Sequence, residues 1–79
     1  MLTDLQARAL ASLTTAPSRD GWVWYVHVDA PVYRKSGVMS GLLHRRLVER
    51  DGGGGFGEED WRITPDGRVA LAMHGEVAR

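Results

Sequence analysis

Apolar positions recur at the helical period over residues 2–16. Leu2, Leu5, Ala9, Leu10, Leu13 and Ala16 fall on one face. Thr3 and Gln6 have capping-box spacing. Pro17 ends the helix, because the residue before a proline avoids helical geometry. After a polar turn at 18–21 the period changes. Residues 22–28, Trp-Val-Trp-Tyr-Val-His-Val, have the composition of a strand. Trp22, Trp24, Val26 and Val28 would share one face, with Val23, Tyr25 and His27 on the other. Apolar residues on both faces predict a strand that is covered on both sides or meets another chain. Asp29-Ala30-Pro31 breaks it: Pro31 cannot donate to a sheet ladder, and Asp29 is placed to cap one short helical turn.

A second helix is expected over 36–46, with Ser36 at its N-cap. Val38, Met39, Leu42 and Leu43 form its apolar stripe; Gly37, Ser40, Gly41 and His44 form the opposite face. A glycine inside a helix costs about 1 kcal/mol relative to alanine, a cost that makes sense where something must approach the backbone closely. Leu47 to Arg50 reads as a short strand and Trp61 to Thr64 as its return, with Trp61 and Ile63 on one face. Between them, residues 52–57 hold five of the ten glycines and predict the tip of a long hairpin. A phosphate-cradling loop is excluded, since Glu58-Glu59-Asp60 follow where Lys-Ser or Lys-Thr is required. Thr64-Pro65-Asp66 opens a last helix running to about Val77, with Val69, Ala70, Met73 and Val77 as its buried stripe.

The predicted order, α-β-α-β-β-α with a small antiparallel sheet, is that of an α+β protein. At 79 residues and 43% apolar content the chain makes one domain, 1–79, rather than a disordered segment. There are no cysteines, which excludes disulfide scaffolds, thiol catalysis and cysteine-based zinc sites. The three histidines, His27, His44 and His74, lack paired ligand spacing, so no metal or other cofactor is expected. No serine has a nucleophile-elbow context, and a chain this short seldom encloses a deep pocket, so no enzyme is expected. The absence of a signal-peptide pattern and of a long apolar run predicts a cytoplasmic protein with no membrane partner.

The formal net charge is zero, but it is segregated. Residues 34–50 hold Arg34, Lys35, Arg45, Arg46 and Arg50 against Glu49 alone, a net +4. Residues 51–79 hold six acids against three arginines, a net −3. The middle of the chain therefore carries a local positive field suited to an anion.

Two segments carry a resemblance. Leu42-Leu43-His44-Arg45-Arg46-Leu47-Val48-Glu49-Arg50 resembles the end of a recognition helix running into a first wing strand. Ile63-Thr64-Pro65-Asp66-Gly67-Arg68 resembles the second wing strand and the start of the last helix in regulators of the MarR and PadR kind. With the order of elements, the chain resembles a winged helix-turn-helix domain whose second helix is shortened or missing. It departs from the family in leaving room for one helical turn at most over 29–35. It also carries Arg46 where the family favours a glycine able to take a left-handed conformation.

The resemblance implies a small transcriptional regulator that binds double-stranded DNA as a homodimer presenting two helices. Ser40 and His44 would read base edges from helix 36–46, whose face Gly37 and Gly41 keep low. Arg34, Lys35, Ser36, Arg45 and Arg50 would meet phosphates. Gly53, Gly54, Gly55 and Arg62 would form a wing near 51–60. The alternative is a protein–protein interaction module on a degenerate winged-helix fold, using the aromatic strand 22–28. Ordinary core burial is expected for at least two of the three tryptophans.

Overall fold

The computed structural model describes residues 2–35, 37–52 and 59–77. Four α-helices and a three-stranded antiparallel sheet follow in the order α1 (Asp4–Thr15), β1 (Val23–Trp24), α2 (Ala30–Tyr33), α3 (Val38–His44), β2 (Val48–Asp51), β3 (Asp60–Ile63) and α4 (Pro65–Val77). The protein is α+β, and its layout is compatible with a winged-helix arrangement. None of the described helices is long and apolar enough to cross a membrane.

The first helix forms as its sequence dictates. Thr3 Oγ1 accepts from the Gln6 N–H at 3.1 Å, and Gln6 Oε1 accepts from the Thr3 N–H at 3.1 Å. Two helix-end donors are thus satisfied reciprocally. Ala7, Ala9, Leu10 and Leu13 are buried, while Leu5 is exposed. This helix touches α2, α3, α4 and β3, so it is the element on which the others assemble.

The strand expected over 22–28 stops at Trp24. Residues Tyr25–His27 form a 3-10 turn closed by the Val28 N–H donating to the Tyr25 carbonyl at 3.1 Å. Val28 is buried, but Val26 and Trp24 are exposed. A strand continued to residue 28 would leave Val28 on the exposed face of Trp24 and Val26; turning after Trp24 returns Val28 to the core. Of the tryptophans, Trp61 alone is buried, Trp22 is half-buried and Trp24 is exposed, so the expectation of two in the core is corrected.

Asp29 does cap one helical turn. Its Oδ1 accepts from the Val32 N–H at 3.3 Å, and Pro31 sits in the first turn where no N–H is needed. Asp29 also pairs with Arg8 at 3.0 Å, which ties α2 to α1.

The next helix is shorter than the 36–46 expected. Gly37 occupies the N-cap with a left-handed backbone, φ 86°, and the helix begins at Val38. Ser36, the expected cap, lies outside the described residues. At the other end the Leu47 N–H donates to the Leu42 carbonyl and the Arg46 N–H to the Leu43 carbonyl, each at 3.0 Å. These are the paired bonds of a Schellman cap, and Arg46 takes its left-handed position with φ 60°.

In the sheet β3 is central, pairing with β1 on one side and β2 on the other. Val23, Val48, Trp61 and Ile63 turn inward to join Leu10, Val32, Leu42 and Leu47 in one core. Thr64 then caps α4: its Oγ1 accepts from the Gly67 N–H and donates to the Arg46 carbonyl, both at 2.9 Å. The Thr64 N–H donates to the Leu47 carbonyl at 3.1 Å. Beside these bonds Gly67 is buried. A Cβ on it would collide with the Leu47 carbonyl oxygen and lie 2.8 Å from Ile63 Cγ1.

The stripe expected to bury α4 holds only in part. Ala70 packs against the core as expected, and Leu71 joins it; Val69 and Met73 are exposed, and the side chain of Val77 lies outside the described residues. The close seat of Gly67 rotates the helix so that the face one residue on turns inward.

Gly67→Ala is expected to destabilise the protein by about 2 kcal/mol, since overpacking against backbone outweighs alanine's helical preference. Arg46→Gly is expected to stabilise it by about 1 kcal/mol by removing the left-handed strain. Urea denaturation measures both; equal midpoints for Gly67→Ala and wild type would contradict this packing.

Candidate nucleic-acid interface

The buried side of α3 is Val38, Met39 and Leu42. Residues three and four apart share a helix face, and on the outer side Gly37, Ser40 and His44 are exposed at that spacing. Gly41 belongs less fully to this side. It is half-buried, and a Cβ there would lie 3.5 Å from Gln6 Nε2 of α1, an ordinary contact.

Cations stand at both ends of the helix. Arg34 and Lys35 are exposed just before it and make no ion pair among the described residues. Arg45 and Arg46 are exposed just after it. Arg45 Nη1 donates to Gln6 Oε1 at 3.4 Å, which holds its side chain along α1. Arg46 was not among the expected DNA contacts, although the sequence marks it as a basic residue where the turn favours glycine.

Two more of the expected contacts are engaged within the chain, in ion pairs. Arg50 Nη1 lies 3.7 Å from Glu59 Oε1. Arg62 Nη2 lies 2.9 Å from Glu49 Oε2, and its guanidinium stacks 4.4 Å over the Trp22 ring. Both sit on the sheet and not beside α3. Gly53, Gly54 and Gly55 of the expected wing lie outside the described residues. The structure thus brings together Arg34, Lys35, Gly37, Ser40, His44 and Arg45 around one helix, and separates Arg50 and Arg62 from them.

The hairpin base is fixed by a polar cluster. Tyr33 Oη donates to Glu59 Oε2 at 2.8 Å and accepts from Trp61 Nε1 at 3.4 Å. This links the end of α2, just before Arg34, to β3. Burial pushes the Tyr33 phenol above its ordinary value of 10.0. The indole donor works against that rise, while the bond to Glu59 and the nearby Glu59 and Tyr25 charges add to it. Among the described residues no group of three or more His, Cys, Asp or Glu side chains is placed to hold a metal ion.

No family model, curated protein or solved structure matches the chain.

The unfolded chain releases the Tyr33 proton at lower pH than the folded chain. Its contribution is therefore complete below pH about 10 and is lost as pH rises through the raised folded-state value. The melting temperature of wild type is expected to fall more steeply above pH 10 than that of Tyr33→Phe; parallel curves would contradict the assignment.

Proposed function

We propose that the protein binds double-stranded DNA through α3 and acts as a small transcriptional regulator. The observation that carries this reading is the bare outer side of α3, with Gly37, Ser40 and His44 exposed between Arg34 and Lys35 at one end and Arg45 and Arg46 at the other. A helix of that profile fits a major groove: small residues let the backbone approach, a hydroxyl and an imidazole reach base edges, and cations meet phosphates on either side. The one-turn α2 before it supplies the preceding helix of a helix-turn-helix in its shortest form, and the β2–β3 hairpin stands where a wing would.

The phosphate contacts fall to Arg34, Lys35, Arg45 and Arg46. Arg50 and Arg62 hold the sheet together and are left out of the interface. Four such contacts per copy on a chain of zero net charge make weak binding, and a homodimer presenting two copies of α3 to successive turns of the duplex would strengthen it.

Binding to random duplex is expected to weaken with salt at a log–log slope of about −3 to −4 per copy. Arg34→Ala with Arg45→Ala should reduce that slope by about 2. Ser40→Ala with His44→Ala should leave the slope unchanged and flatten discrimination among sequences. A salt-independent response, or a double arginine variant that binds as wild type does, would overturn the reading.

A further inference from the structure

The sheet has an outer face that the helices leave uncovered. Residues paired across neighbouring strands point to the same face. Asp60 pairs with Trp24 on one side and with Asp51 on the other, so indole, carboxylate and carboxylate stand in one row. The next row on that face is built by Arg62 paired with Glu49, with Trp22 beside them. There a guanidinium is already held, stacked 4.4 Å over the Trp22 ring and bonded to Glu49 at 2.9 Å.

The Trp24 row repeats those ingredients without the cation. Trp24 is 49% exposed. Asp51 and Asp60 make no ion pair among the described residues. Like charges directly across a strand pair destabilise it, so this arrangement costs the isolated protein stability and a bound cation would relieve the cost. The row opens onto a groove of about 650 Å³ that also takes in Asp20 and His27, with Arg19 as its one described cation. The sign of this surface is opposite to that around α3 and unsuited to nucleic acid.

We propose that this groove docks an extended segment of a partner protein through an arginine side chain. The incoming guanidinium stacks on Trp24 and pairs with Asp60 and Asp51, as Arg62 does with Trp22 and Glu49. The planar fork of arginine fits both the indole face and the carboxylates, which a compact ammonium fits less well. This docking does not depend on what α3 binds.

The probe is the blocked pentapeptide Gly-Gly-Arg-Gly-Gly, with citrulline and glutamate versions as controls. The readout is the three tryptophan indole N–H signals by NMR, with Trp24 assigned through Trp24→Phe. The arginine peptide is expected to shift the Trp24 signal saturably, with a Kd on the order of millimolar, and neither control to do so. Asp51→Asn with Asp60→Asn is expected to weaken binding about fivefold while raising the melting temperature. A citrulline peptide as effective as the arginine peptide, no saturable shift at Trp24, or a random duplex that moves this signal more than the peptide does would overturn the proposal. So would a double variant that binds as wild type does. A double variant that melts earlier than wild type would show the acids to be structural, and would overturn it as well.

Discussion

Where α4 begins, its third residue lies so close to the Leu47 carbonyl that no Cβ fits between them. That contact fixes the relation of three elements. Leu47 closes the C-terminus of α3 and leads into β2; Gly67 opens α4; Thr64, between β3 and α4, bonds to the Arg46 carbonyl and to the Gly67 N–H. One junction therefore sets how α3 projects, where the hairpin leaves it and which side of α4 turns inward. The left-handed Arg46 is held there despite its conformational cost, because two backbone bonds and the Thr64 hydroxyl close around it.

Around that junction the chain separates its charge in space. Basic residues gather at the two ends of α3, while Asp51 and Asp60 lie on the outer face of the sheet. The arginines nearest the acids, Arg50 and Arg62, are absorbed by Glu59 and by Glu49 with Trp22. A protein of zero net charge thereby presents two surfaces of opposite sign.

Local signals were legible in the sequence. The capping box of Thr3 and Gln6, the cap at Asp29 and the Thr64-Pro65 helix start all formed as the residue types require, because each depends on atoms a few positions apart. The outward placement of Ser40 and His44 was also readable, since Val38, Met39 and Leu42 leave that side for solvent. What was not readable depends on contacts between distant segments. The rotation of α4 follows from Gly67 meeting Leu47, and no periodicity within 65–77 reveals it. The early end of β1 follows from Val28 being drawn to the core. The row formed by Trp24, Asp60 and Asp51 exists only through sheet register.

The central claim is that the outer side of α3 meets DNA. The most direct measurement is backbone amide NMR of the labelled protein titrated with a random duplex. Shifts concentrated at Arg34, Lys35, Gly37, Ser40 and His44, with Val23 and Trp24 unmoved, are the expected result. Shifts confined to β1 and the sheet, or none at α3 at low salt, would contradict it.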